Sequence, residues 1–301
     1  MAETSAISWT RSTFNPWVGC TKVGPGCDSC YADALDVKRF SKTLGGATSE
    51  IPIRHWGTGA PRHRTSAHNW NEPLRWNRKA EEEQRTGVLT PQSTWTGRIG
   101  HWPVFCASLA DVFDNEVDPA WRTDLWALIR ATPALSWLLV TKRIGNVRDM
   151  VPGIWLTYRF EDNVRLLITV VNQAEADRDV PKLLALPCWN GISYEPALGG
   201  VDWMPWMSLP PGKRPGLQWI IVGGESKQGG DFARAFNGYW ALDAIDQCRA
   251  ANVPVFMKQM GSRPMWQRGT AEPSWDEPRK DRAGADPAEW PPALRVQEMP
   301  S

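Results

Sequence analysis

Short runs of apolar, β-branched and aromatic residues recur along this chain, and their spacing constrains the fold more than any other feature. From Pro103 onward they are Pro103–Ala107, Trp137–Val140, Leu166–Val171, Trp189–Ser193, Trp219–Val222 and Val253–Met257. Their starts lie roughly 25–35 residues apart, the length of one βα unit. Thr13–Val18 is an earlier run of the same kind. Near-continuous apolar strands alternating with helices predict a parallel sheet covered by helices, an α/β fold. Six or seven such units suggest a full or partial parallel (β/α) barrel, with a doubly wound open sheet as the alternative. The helix between the second and third runs begins at Asp118-Pro119, an acceptor at N-cap followed by proline at the first helical position. Trp121, Leu125, Leu128 and Ile129 then share one face, and Leu242, Ile245 and Cys248 form a later stripe closed by Asn252. Two segments break the rhythm. Residues 41–100 form a long insertion after the first strand, and the tail 262–301 holds seven of the 25 prolines. The expected organisation is a barrel-like catalytic domain over 1–261, carrying the insertion, and a docked Pro/Trp-rich tail.

Charge excludes some classes of function. With 34 basic against 33 acidic side chains the net charge is +1, so no global field draws the chain to nucleic acid or membrane. No apolar run reaches the roughly 18–20 residues of a membrane span. Met1–Trp9 lacks the pattern of a secretory signal, so a cytoplasmic protein without a membrane partner is expected. Tryptophan is abundant, 19 against 4 tyrosines, and three of the 6 cysteines fall within eleven residues. In a reducing compartment such a cluster points to metal or redox chemistry. Cys106, Cys188 and Cys248 sit on strand or helix patterns and read as core thiols.

The clustered cysteines are Cys20, Cys27 and Cys30, spaced C-x6-C-x2-C, with Gly24, Pro25 and Gly26 letting the backbone curl between them. Three thiolates hold three irons of a [4Fe–4S] cluster and leave the fourth open to a ligand such as S-adenosylmethionine. A zinc site is the competing reading, with His55, His63, His68 or His101 as fourth ligand, in a nucleic-acid-binding protein without catalysis. Three ordinary loop thiols are the bland one.

This motif resembles that of the radical S-adenosylmethionine superfamily, in which the first gap is three residues and an aromatic follows the last cysteine, as Tyr31 does here. The chain is also similar to a phage-associated three-cysteine-motif family of unassigned function. That similarity runs through Ile7–Thr10, Asn15–Ala32, Leu139–Arg143, Ser193–Pro196, Ile221–Ser226, Lys258–Gly261, Glu289–Pro291 and Leu294–Val296. The resemblance implies a partial or full radical-type barrel. It also implies reductive cleavage of S-adenosylmethionine to a 5′-deoxyadenosyl radical, fed by an external electron donor, with room for a partner protein in the site. A nucleic-acid base or nucleotide is the expected substrate, as in phage-type DNA modification or repair.

Barrel chemistry sits at the C-terminal ends of strands, and here those ends are repeatedly polar. Tyr31, Ser108, Gly223, Gly224 and Glu225 are candidates for cofactor binding; a Gly-Gly-Glu segment in the superfamily binds the methionine amino group, though there it follows the second strand and here the sixth. The glycines also suit close backbone approach to a ligand. Asp111, Lys142 and Glu195 are the candidate catalytic groups, and Arg143, Asn172, Lys258 and Gln259 the candidate substrate contacts. In the insertion, the cations from Arg54 to Lys79 face a single local acid, Glu72, and are interleaved with Trp56, Trp70 and Trp76. Arg62, Arg64 and Trp70 are accordingly candidates for phosphate contact and base stacking, with Trp95 a further stacking residue. Asn71–Leu74 reads as a helix start and Glu81-Glu82-Glu83 as a solvated helix face. Trp266, Trp275 and Trp290 are expected to anchor the tail.

Overall fold

Pro16 has no N–H to give to a ladder, and it divides the first expected strand in two. In the computed structural model, which describes residues 2–88, 102–207, 216–227, 233–275 and 280–300, Thr13–Val18 is not one strand. β1 (Ser12–Thr13) pairs in the main sheet, and β2 (Trp17–Val18) turns away to pair elsewhere. Trp95 and His101 lie outside the described residues.

The chain divides into two compact units, residues 1–23, 31–167 and 187–189, and residues 24–30, 168–186 and 190–301. In the first unit, β1 and β2 are followed by α1 (Tyr31–Lys38), β3 (His63–Arg64), α2 (Ala67–Thr86), β4 (Trp102–Cys106), α3 (Pro119–Arg130) and β5 (Leu135–Thr141). Two short helices, α4 (Val147–Met150) and α5 (Gly153–Thr157), lead to β6 (Val164–Thr169), whose last two residues open the second unit. There follow α6 (Gln173–Leu184), β7 (Trp189–Tyr194), α7 (Met204–Met207), β8 (Ile220–Gly223), β9 (Phe236–Asn237), α8 (Gly238–Ala251), β10 (Val255–Gln259), β11 (Pro264–Trp266) and β12 (Ser274–Trp275).

The seven-stranded parallel sheet has the order β1-β4-β5-β6-β7-β8-β10, which is also the order along the chain. A doubly wound sheet reverses its order at a switch point; this one never does. Because the order ends at β1 and β10 without closing, the topology is that of a partial (β/α) barrel. β4 and β5 run as near-continuous buried stretches, Val104 and Leu139 being fully covered, as a sheet clothed on both faces requires.

Local signals act where the sequence places them. Asp118 accepts from the Ala120 N–H at 2.8 Å to cap α3, and Leu125, Leu128 and Ile129 are buried. Asn252 ends α8 in the left-handed conformation, φ 54°. The helix start expected at Asn71–Leu74 lies instead inside α2: Ser66 is the N-cap, accepting from the Asn69 N–H, and Pro73 sits in the helix. Near its end, Glu83 is not solvated. It forms a buried bidentate pair with Arg11 at 2.8 and 3.1 Å, and the Arg11 guanidinium lies 3.3 Å from the Trp102 ring centroid.

In the second unit the tail lines β10. The Met257 N–H donates to Val296 O at 2.8 Å, and Glu298 N–H to Val255 O at 3.0 Å. Trp290 is buried with its indole N–H on Gly284 O, 2.9 Å. Trp275 departs from the anchoring expectation: it is about half exposed (47%), with the Arg263 guanidinium 4.6 Å from its ring centroid. Cys106 and Cys248 are buried and Cys188 half-buried, and none of the three forms a disulfide. Among the described residues no helix is long and apolar enough to cross a membrane.

The Arg11–Glu83 pair makes a stability prediction. Glu83→Gln leaves a guanidinium buried without its counter-charge and should lower unfolding free energy by about 3–5 kcal/mol in urea titrations, whereas an Arg11→Met/Glu83→Leu double variant should cost far less. A Glu83→Gln loss no larger than that of the double variant would contradict the buried-pair reading.

Candidate functional site

The first unit gathers one set of the predicted residues around Cys20. Gly19 has φ 116°, and a side-chain Cβ there would lie 2.4 Å from His55 O, so only glycine lets the chain reach Cys20 this way. Asp111, past the end of β4, accepts from Thr141 Oγ1 at 2.8 Å, the Phe113 N–H at 2.9 Å and the Lys142 N–H at 3.0 Å. Arg143 Nη1 donates to Asp111 at 3.1 Å and to Cys20 Sγ at 3.3 Å, while its Nη2 donates to Thr21 O. Asp114 faces the same guanidinium at 3.7 Å. Burial pushes the Cys20 thiol up to about 12, as do Asp111 and Asp114; Arg143 acts against them. Burial alone would lower the Arg143 value, but Asp111, Cys20 and Asp114 together raise it well above the ordinary value.

Tyr31, the exposed first residue of α1, donates its hydroxyl to Ser108 O. Ser108 is also tied to Asn15, whose Nδ2 donates to Ser108 Oγ at 3.0 Å and whose Oδ1 accepts from the Leu109 N–H at 2.7 Å. The structure thus brings together Cys20, Asp111 and Arg143 in one network, and Tyr31 with Ser108 in another. It draws in Thr141, itself one of the polar strand ends, and adds Asn15 and Asp114, which strand-end reasoning missed. For Asn15 a signal was present, since it lies in the cysteine motif.

The second unit holds Cys27, Cys30 and the remaining strand-end groups. Glu225 accepts from Arg234 through its backbone N–H at 2.8 Å and its guanidinium at 3.1 Å. Arg234 Nη1 also donates to Pro25 O at 2.8 Å and to Asp28 at 3.2 Å, which ties the cysteine loop to Glu225. No motif drew attention to Arg234. Burial raises the Glu225 carboxyl, but its bonds with Arg234, and a smaller one from Ser29, hold it net below 4.5. Lys258 pairs with Glu195, and Gln259 Nε2 donates to Gly224 O and Ser226 Oγ, each at 2.7 Å. Asn172 caps α6, accepting from the Glu175 N–H at 3.0 Å.

Two expectations change. A Cβ on Gly224 would lie 2.4 Å from Met260 O, so the neighbouring backbone by itself already requires glycine here. The cations of the insertion also find acids far along the chain. Arg54 pairs with Asp33 and Asp36, Lys79 with Glu3, and Arg64 with Asp124 at 2.7 Å while its guanidinium lies 4.3 Å from the Trp70 ring centroid. Arg62 is buried: Nε donates to Asp114 at 2.8 Å, Nη1 to Ala60 O at 2.8 Å and Nη2 to Thr21 Oγ1 at 2.7 Å. Trp56 and Trp76 are buried, and Trp70 meets Phe14 edge-on at 5.6 Å. Arg62 is thus wholly engaged in the fold, while Arg54 and Lys79 are paired yet keep about half of their side-chain surface exposed, 45% and 47%.

Cys20, Cys27 and Cys30 are free thiols, and an N–H donor already faces one sulfur, as around thiolate-held clusters. Their chemistry fits a [4Fe–4S] cluster. Among the described residues no three His, Cys, Asp or Glu side chains are gathered to hold a single ion. Of the candidate zinc ligands, His55 is buried with Nδ1 2.7 Å from Asp36, His68 is largely exposed, and burial and then His55 lower the His63 value.

Two predictions follow from the second unit. Gly224→Ala should destabilise the protein by about 1–3 kcal/mol through overpacking, while Gly223→Ala, meeting only side chains at 3.4 Å or more, should be tolerated; equal losses in urea melts would contradict this. Since Glu225 is depressed on folding, its contribution is complete above the unfolded carboxylate value and fades as pH falls through the lower folded one. The Tm difference between wild type and Arg234→Gln should therefore be large at pH 7 and shrink below pH 4.5. A difference independent of pH would contradict the pairing.

Comparison with known proteins places the chain without giving it a reaction. No curated protein matches it. A solved structure of a cysteine-to-serine mutant of spore photoproduct lyase aligns over 92% of this chain and 71% of its own, at 12% identity and a TM-score of 0.35. A family model matches residues 4–284, and the chain therefore belongs to that family, described as Protein of unknown function (DUF5131).

Proposed function

We propose that this protein is a radical S-adenosylmethionine enzyme in which Cys20, Cys27 and Cys30 hold a [4Fe–4S] cluster. The observation that carries this reading is three free thiols within eleven residues between β2 and α1, none of them in a disulfide. When bound, such a cluster passes one electron to the sulfonium of S-adenosylmethionine and so yields a 5′-deoxyadenosyl radical.

The chain's own residues hold and shield this chemistry. Arg143 keeps Cys20 in place and balances Asp111 and Asp114. Arg234 holds the Pro25 carbonyl and the Asp28 carboxylate, and with them the segment bearing Cys27. Tyr31 and Ser108 form a fixed pair beside the motif, suited to the adenosyl moiety. Glu195 and Lys258, at the ends of β7 and β10, form a charge pair able to take or return a proton on substrate. Asp111 has its acceptor capacity taken up within the protein, so it serves as a positioning group. Lys142 remains a candidate substrate contact. The substrate class is a nucleic-acid base or nucleotide; its recognition falls to the strand-end groups together with the half-exposed cations of the insertion.

Anaerobic reconstitution with iron and sulfide, followed by reduction in the presence of S-adenosylmethionine, tests the proposal. Wild type should form 5′-deoxyadenosine, and the Cys20→Ala/Cys27→Ala/Cys30→Ala variant should form none. Single-stranded oligonucleotide or free nucleotide should increase the yield. Stoichiometric zinc with no cluster, or a cluster that cleaves nothing under any reductant, would sink it.

A further inference from the structure

We infer that Arg143 is a positioning residue for the Cys20 sulfur and raises the reduction potential of the cluster that this sulfur helps to hold. The inference rests on the cluster reading above. It reassigns Arg143, whose place after a strand first suggests a substrate contact.

The geometry is specific to a fixed donor. Arg143 Nη1 lies 3.3 Å from Cys20 Sγ, and Nη2 donates to the carbonyl of the next residue, Thr21. One planar guanidinium therefore grips both the sulfur and the backbone beside it, which a lysine cannot do. Asp111 at 3.1 Å and Asp114 at 3.7 Å hold the guanidinium from the other side. The Arg143 N–H donates to Thr141 Oγ1 at 2.8 Å, so the backbone at its base is anchored as well. The Arg143 side chain is buried, at 7% exposure. Cys20 is equally constrained: the Gly19 N–H donates to Leu109 O at 3.0 Å, and Cys20 bridges Trp56. Neither partner is free to leave the other. Such a network is more than a substrate-binding arginine needs, since that arginine must present open donors to solvent.

The chemical consequence concerns electron density on sulfur. A hydrogen bond from a cationic donor to a coordinating thiolate stabilises the more negative, reduced state of a cluster and so raises its potential. The electron comes from the external donor; Arg143 itself neither gains nor loses a proton. Arg234 differs, because its bonds go to Pro25 O, Asp28 and Glu225 and not to a sulfur.

The test is a spectroelectrochemical titration of the reconstituted full-length protein, with iron content and thermal melting measured in parallel. Two variants are compared with wild type. Arg143→Lys keeps a charge for Asp111 and Asp114, and an Asp111→Asn/Arg143→Gln double variant removes both charges so that no carboxylate is left alone. A shift of the potential to more negative values in either folded variant is expected. Selective loss of one iron from a folded variant also supports the role, as it reports a loosened Cys20. Variants that load fully and titrate at the wild-type potential would overturn the inference while leaving the proposed function standing. A wild type that takes up no cluster would instead overturn the proposed function.

Discussion

Charge neutralisation in the interior is the constraint on which the rest of this structure depends. A buried carboxylate without a partner is costly, and so is a buried guanidinium. Here the two are matched at two ends of the sheet. Asp111 and Asp114 share Arg143, and Glu225 takes Arg234. In both cases the arginine has donors left over, and in both cases they go to the cysteine motif: to Cys20 and Thr21 from Arg143, and to Pro25 and Asp28 from Arg234. The acids at the strand ends therefore serve the thiols indirectly, by fixing the cations that bind the loop.

The same constraint removes a local signal. Read along the chain, the segment from Arg54 to Lys79 is a basic stretch suited to phosphate. Folded, Arg54, Arg62, Arg64 and Lys79 meet acids from outside the segment, Asp33, Asp36, Asp114, Asp124 and Glu3, while Arg75 pairs with Glu72 inside it. Glu83 shows the converse, an acid in an apparently solvated run that is buried on Arg11. Local charge density reports partners only when the side chains stay at the surface.

Periodicity and capping were legible because they are short-range. The strand runs from Pro103 onward, Asp118-Pro119 and the Asn252 stop all appear within a few residues of their expected places, whereas Pro16 splits the run Thr13–Val18. The cysteine spacing stands in the sequence, where it leaves iron–sulfur, zinc and plain thiols open; the structure adds that the three are free thiols. Arg234 was not legible, since its partners Pro25 and Asp28 are some two hundred residues away. Pro73 misled for a different reason: proline marks a helix start, yet a helix opened by Ser66 carries it inside. Gly223 and Gly224 look alike in sequence, but only the second is pressed against a neighbouring carbonyl.

The central claim is that the three thiols hold a cluster with one iron open to S-adenosylmethionine. Electron paramagnetic resonance of the reduced, reconstituted protein addresses it most directly. A signal from a reduced iron–sulfur cluster should appear, and addition of S-adenosylmethionine should change its shape. A cluster signal indifferent to S-adenosylmethionine, or a silent protein carrying one zinc per chain, would contradict it.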